Sequence, residues 1–400
     1  MDSLHAALAQ RNLSDPAATM RLSVASILRN QAESGAFVAS PDFAEYRYCW
    51  LRDGSFIAYA LDRAGEHDAS ARYHAWVDGA IEGIGEMIDG AVERRRRGVI
   101  LNLAHMPPAR FALDGTTVAD DWPNFQIDGY GTWLWALGQH LLSTGRDALP
   151  DELRGSVERV ARYLAGFALS RCFDVWEESG NGLHTSTLAC VYGGLTTAAR
   201  LLDDTDLLDR AEAVRGLARA GAARLGRYVK SSECDDVDAS LLWLSTPFRL
   251  VERGDDHFAQ TVRAIEEQLT FIGGLRRYPG DTYFGSGAWP VLTASLGWHH
   301  LAAGEHAAAR HCRDWVTSHF DGQGRLPEQL GGEQRDPGHY REWVERWGSP
   351  AMDLTWSHAM YVVLCAALDD FDRSKRGVGT ASAAPHDGHG DLEDGRRRAQ

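Results

Sequence analysis

Positive charge is short in this chain: 41 Lys and Arg stand against 56 Asp and Glu, a net charge of -15. Phosphate backbones call for a basic face, so no nucleic-acid partner is expected. The one basic run, Arg94-Arg95-Arg96-Arg97, reads as a solvated helix end where cations suit the helix dipole. Cysteine is sparse as well. The six, at positions 49, 172, 190, 234, 312 and 365, show neither C-x-x-C nor Cys/His metal spacing. They read as reduced core residues, with no metal site and no cofactor expected. No apolar run approaches the length of a bilayer span. Met1-Asp2-Ser3-Leu4-His5 lacks the basic-then-apolar order of a secretory signal. These absences leave a cytoplasmic protein with no membrane partner, acting on small soluble molecules; oligomeric state is not readable.

Strand alternation is scarce too, and helical periodicity fills the space. Leu188, Val191, Tyr192, Leu195 and Ala199 recur on one face of the segment 184–202. The same reasoning predicts helices near 16–33, 52–65, 67–97, 123–145, 151–170, 184–202, 205–226, 237–250, 255–269, 286–304, 305–320 and 353–368. Short links such as Ala64-Gly65-Glu66-His67 and Asp203-Asp204 alternate with longer ones rich in aromatics, glycine and charge. That alternation suits an all-α ring of six hairpins, with functional loops on one rim beside the inner helix N-termini. A solenoid of stacked pairs is the other arrangement, but no fixed-period repeat supports it. No linker interrupts 15–370, so residues 1–373 read as one domain. Residues 374–400 turn to Ser, Ala, Gly, Asp, His and Arg and read as a disordered tail.

What the chain has in quantity is tryptophan, 13 residues, and several fall in the long links beside acids. Asp174-Val175-Trp176-Glu177-Glu178 sets two carboxylates behind an indole, and Pro327-Glu328-Gln329 follows some way on. Acid-catalysed glycoside hydrolysis needs one carboxyl kept protonated by apolar surroundings and another ionised to activate water. The plain alternative for Glu177-Glu178 is a solvated surface pair. Tyr48-Cys49-Trp50-Leu51-Arg52-Asp53-Gly54 fits either sugar binding, with Trp50 stacked on a pyranose, or an Asp helix cap with an ion pair. Trp122-Pro123-Asn124-Phe125-Gln126-Ile127-Asp128-Gly129 reads equally as a Pro-initiated helix start. Glu233-Cys234-Asp235-Asp236-Val237-Asp238 reads most simply as a helix cap region. The stretch 276–289, from Arg276-Arg277-Tyr278-Pro279-Gly280-Asp281 to Trp289, is too rich in aromatics and charge for a connector.

Trp-Glu-Glu, Arg-Tyr-Pro, Pro-Glu-Gln and Asp-Leu-Thr-Trp-Ser, in this order over residues 40–368, resemble the glucoamylase family of inverting α-glucoside hydrolases. The resemblance implies an (α/α)6 barrel with its site at the inner-helix N-terminal rim. It implies Glu177 as general acid and Glu328 as general base. It implies that Arg52 and Asp53 grip a terminal glucose with Trp50 beside them, that Trp122 is a stacking tryptophan, and that Glu178 and Arg277 bind the first and second sugars. Trp176, next to Glu177, is expected at the site as an apolar neighbour that keeps the acid protonated by desolvation. The family's Tyr-Pro-Glu-Asp is here Tyr278-Pro279-Gly280-Asp281, a change on the leaving-group side. The expected activity is inverting exo-hydrolysis of short α-glucosides of the malto or isomalto type. The rivals are a trehalase, a phosphorylase (which the retained Glu328 argues against), and a non-catalytic sugar-binding or regulatory barrel. His184, His299, His300 and His358 read as packing residues.

Overall fold

A computed structural model of the chain describes residues 15–100, 102 and 105–376. Helix α1 (Pro16–Arg29) begins where Asp15 caps the free N–H of Ala17 and Pro16 takes the first position. It is followed by α2 (Leu51–Ala64), α3 (His67–Gly83), α4 (Gly85–Arg96), α5 (Asp128–Ser143), α6 (Asp151–Phe167), α7 (Thr185–Leu202) and α8 (Thr205–Leu225). After a 3₁₀ segment at Ala239–Leu244 come α9 (Asp256–Leu269), α10 (Pro290–Ala303), α11 (His306–Thr317), α12 (Pro337–Trp347) and α13 (Thr355–Lys375). Two short antiparallel pairs complete it. β1 (Cys49–Trp50) pairs with β2 (Arg110–Phe111), and β3 (Thr270–Phe271) with β4 (Gly274–Leu275).

The architecture is an (α/α)6 barrel. Helices α2, α5 and α7, the 3₁₀ segment, α10 and α13 pack each on the next, and α13 returns to α2 to close the inner ring. Outside it, α3, α6, α8, α9, α11 and α1 each lean on an inner element. A helix enclosed on all sides loses its amphipathic stripe. In α2 every residue from Leu51 to Asp62 is buried accordingly. The middle of the ring is filled by aromatics: Phe56 lies 5.5–6.1 Å from Trp135, Trp243, Phe248 and Trp356, centroid to centroid. Truncating such a residue to alanine costs about 3–5 kcal/mol. Helices α5 and α7 cross closely because Gly131 and Gly194 face each other; a Cβ on Gly131 would stand 2.3 Å from the Cys190 carbonyl oxygen.

The structure redraws four of the expected helices. The single helix expected over 67–97 breaks at Ile84 (φ -108°, ψ 15°), between Gly83 and Gly85, the poorest helix formers after proline. The inner helix expected over 237–250 is only the 3₁₀ turn, because Pro247 has no N–H to donate and its ring obstructs the preceding turn. The helix expected from 123 starts at Asp128, after Phe125 in the left-handed region (φ 64°). Helix α12 lies where a loop was expected. Helix α13 runs on through Lys375, and the tail from 377 lies outside the described residues. No helix among the described residues is long and apolar enough to cross a membrane.

Candidate active site

The Trp-Glu-Glu loop is shaped by its own polar groups. Asp174 accepts the backbone N–H groups of Glu178 and Ser179 at 2.8 and 3.0 Å, while Glu177 N–H bonds the Asp174 carbonyl. That tight turn puts Glu177 at φ 66°, a conformation side-chain-bearing residues resist and which collects at functional sites. Trp176 is fixed from below: its indole N–H donates to Asp238 at 2.8 Å. Asp238 also caps the 3₁₀ segment through Ser240 N–H. The acidic 233–238 stretch therefore serves the site as a brace for Trp176.

Glu177 accepts hydrogen bonds at Oε1 from the Trp50 indole (2.7 Å) and the Gln126 amide (2.9 Å), with the Arg52 guanidinium 3.9 Å away. Burial raises its pKa, and these three donors only partly offset that. A carboxyl whose proton is stabilised by burial, with one oxygen held and the other not engaged by these contacts, is arranged to donate.

Glu328 sits on a loop sewn to the start of α13. Leu354 N–H reaches the Leu326 carbonyl, the Ser357 hydroxyl reaches the Pro327 carbonyl, and Glu328 N–H reaches the Ala351 carbonyl, all within 2.9 Å. Gln329 ties the same loop to 283–287, accepting from Gly287 N–H and donating to the Tyr283 carbonyl. The Tyr46 hydroxyl donates to Glu328 Oε1 at 2.7 Å, and the Tyr283 hydroxyl stands 2.9 Å behind it. Oε2 is buried without a protein partner among the described residues. Burial pushes the Glu328 pKa up to about 7, against the pull of Tyr46 and Arg277.

The first turn of α2 supplies the floor. Arg52 donates to Asp128 at 2.9 Å and to Gln126 at 3.3 Å, lies 3.4 Å from Asp53, and covers the Trp356 ring at 5.6 Å. Asp53 is buried, with Oδ2 3.4 Å from Arg52 Nε but without a hydrogen-bond donor among the described residues, and burial pushes its pKa up to about 6. Buried polar atoms normally have hydrogen-bond partners. Glu328 Oε2 has none among the described residues, and Arg52 Nε and Asp53 Oδ2 meet only as an ion pair without a hydrogen bond, so the three atoms beside one cavity form a set suited to hydroxyls. On the other wall Arg277 grips Asp281 through two bonds (2.5 and 3.1 Å) and donates to Glu178 at 2.7 Å. Tyr278 also bonds Glu178. The Arg110 guanidinium lies 3.6 Å over the Trp122 ring, holding that indole at the opening.

These loops enclose a cavity of about 400 Å³, within the range of small-ligand sites. Trp50, Arg52, Asp53, Trp122, Trp176, Glu177, Glu178, Arg277 and Glu328 all line it, so every expected site residue is brought together. Tyr46, Tyr283, Trp289, Trp343, Arg346 and Trp347 line it too and were not singled out. Tyr46 sits in a 3₁₀ turn at 44–46 with no motif of its own; only the local density of aromatics hinted at it. The four histidines pack as expected: His184 bonds backbone carbonyls, His358 pairs with Asp353 at 3.0 Å, His300 with Glu305, and His299 lies edge-on to Phe258.

The sequence profile described as Glycosyl hydrolases family 15 matches residues 18–329. The chain belongs to this family. It is a glycoside hydrolase. Among curated relatives of this family-15 chain, the isomaltose glucohydrolase of Kribbella flavida is 39% identical over 356 residues, covering 87% of this chain and 92% of that protein. A trehalase of Sulfolobus acidocaldarius is 23% identical over 279 residues, covering 62% of this chain and 47% of its own. Among solved structures, a glycosidase in complex with glucose has a TM-score of 0.85 at 36% identity, covering 92% of this chain and 99% of that one. A bacterial glucoamylase complexed with acarbose has a TM-score of 0.67 at 18% identity, covering 88% of this chain and 55% of its own, a likeness of fold alone.

Proposed function

We infer that this family-15 hydrolase is an inverting, exo-acting α-glucosidase that releases the terminal glucose of short α-1,6-glucosides such as isomaltose. The observation that carries the reading is a pair of glutamates, the buried Glu328 and the half-buried Glu177, both with raised pKa, on separate loops of one cavity. The extent of likeness to the isomaltose glucohydrolase supports the linkage.

In this reading Glu177 donates its proton to the glycosidic oxygen as the C1–O bond breaks. Glu328 takes a proton from a water that adds to C1 on the opposite face, giving β-glucose and the freed sugar. The geometry calls for carboxyls roughly 6.5–9.5 Å apart, room for that water. The Tyr46 hydroxyl orients Glu328. A base with a pKa of about 7 is suited to near-neutral operation. Arg52 and Asp53 hold the hydroxyls of the sugar on the floor, which selects a chain end over a chain middle. Trp50, Trp122 and Trp176 supply apolar faces, and Glu178 with Arg277 meets the first and second sugars. Residues 1–373 form one catalytic domain in this reading, supported by a single core running from Ile27 to Leu368. Free thiols at all six cysteines, five of them buried, support a cytoplasmic site of action.

The test is an NMR time course on isomaltose, maltose, panose, kojibiose and trehalose. β-Glucose released first and fastest from isomaltose, and lost in Glu177→Gln and Glu328→Gln, is the expected result. α-Glucose as first product overturns the acid and base roles. Preference for trehalose overturns the linkage. Sugar binding with no turnover leaves a binding barrel.

A further inference from the structure

Helix α12 (Pro337–Trp347) has no buried residue, which is unusual for an eleven-residue helix lying against a barrel. It touches the molecule chiefly at the 3₁₀ turn Tyr283–Gly285. Trp343 packs on the Tyr283 and Phe284 rings at 4.8 and 5.6 Å. The docking is specific. Asp336 N–H bonds the Gly285 carbonyl at 2.9 Å, and a Cβ on Gly285 would stand 2.4 Å from the Asp336 oxygen. Asp336 then caps the helix through the N–H groups of Gly338 and His339.

A helix held at one turn does little for the core, and what it offers faces the cavity. Trp343, Arg346 and Trp347 all line it. Trp347 is 41% exposed, one of the few large apolar side chains of the described residues left in water, with the Arg346 guanidinium 5.2 Å over its ring. The opposite end of the cavity is closed by Arg52, Asp53 and Trp356, each buried. A terminal sugar on that closed floor must send the rest of its molecule out through the open end, where Trp347 stands.

We propose that α12 is a leaving-group platform: Trp347, with Arg346 beside it, stacks against the sugar on the reducing side of the scissile bond. The inference rests on the function proposed above. An indole face set at the opening binds ground state and transition state alike, so its loss raises KM and leaves kcat nearly unchanged.

The experiment compares isomaltose with α-glucosyl fluoride, whose leaving group carries no sugar, in wild type, Trp347→Ala, Trp347→Phe and Arg346→Ala. The expected result is a rise in KM for isomaltose of about tenfold in Trp347→Ala, largely restored in Trp347→Phe. Arg346→Ala gives a smaller rise, and α-glucosyl fluoride is turned over unchanged by all. An equal loss on both substrates overturns the proposal, because α12 would then shape the floor. No change on either also overturns it. Failure of the wild type to hydrolyse either substrate is a separate outcome, which removes the α-glucosidase reading first.

Discussion

The carboxylates of the cavity and those buried elsewhere in the barrel titrate in opposite directions. At the loop rim, Glu177, Glu328 and Asp53 all have raised pKa values, with burial the leading cause. Ten residues further along α2, roughly 15 Å down its axis, Asp62 is as deeply placed. Burial opposes ionisation there too, but His140, His67 and Ser70 all bond it (2.8–3.1 Å) and together lower its pKa. Asp353, beside the Glu328 loop, follows the same rule. Against the cost of burial, His358, Ser26 and Asn30 hold it down to about 2. Burial is common to both groups, and the supply of donors separates them. Glu328 and Asp53 each keep an oxygen without a hydrogen-bond donor among the described residues, and it is these starved carboxylates that face the cavity.

The sharpest way to break the comparison is to neutralise one carboxylate of each kind. Glu177→Gln or Glu328→Gln should lower kcat by about 10²–10⁴-fold, the usual share of general acid–base catalysis, whereas Asp62→Asn should leave kcat/KM on isomaltose unchanged. Stability should reverse that ranking. Asp62→Ala leaves the buried donors of Ser70 and His140 without an acceptor and should cost about 1–3 kcal/mol in denaturant titrations.

The pH dependence of stability should have opposite sign for the two kinds of carboxylate. A carboxyl raised to about 7 in the folded state, against about 4.3 when unfolded, binds its proton more tightly folded. Its contribution therefore weakens the fold as pH climbs from the unfolded value through 7. Glu328→Gln should accordingly melt higher than wild type at pH 8 and gain nothing at pH 4. Asp353, lowered to about 2, stabilises the fold above about 3.9, its unfolded value. That stability should be lost as pH falls from there through 2, and Asp353→Asn should flatten the acid side of the melting curve. The smallest effect concerns Tyr46. Its hydroxyl favours ionised Glu328, so Tyr46→Phe should push the acid limb of the kcat/KM profile above its wild-type position near 7. A limb that stays put would remove Glu328 as the group that sets it.

The sequence carried the ring of hairpins because its short links alternate with long ones rich in aromatics, glycine and charge. It carried the rim because Trp176-Glu177-Glu178 and Pro327-Glu328-Gln329 are local strings. What it hid is non-local. Tyr46 reaches Glu328 across 282 positions, and Asp238 braces Trp176 across 62. Neither contact leaves a trace in spacing. Helix α12 was hidden for another reason. With no buried residue it has no core-facing stripe to find, and Trp343 and Trp347 looked like loop aromatics. The shortened inner element at 239–244 was legible in principle, since Pro247 stands inside the apolar run.

Trp356 belongs both to the aromatic plug around Phe56 and to the cavity wall, so the plug stands beneath the site and leaves the loop rim as the passage. Substrate, attacking water and both products must share that passage, so a released glucose on the floor has to leave before the next chain end is seated. If the chain is the exo-acting α-glucosidase proposed above, it lets go of its substrate after every cut, and glucose that builds up outside competes for the same seat. An architecture of this kind trades throughput on long polymers for thorough clearance of small remnants.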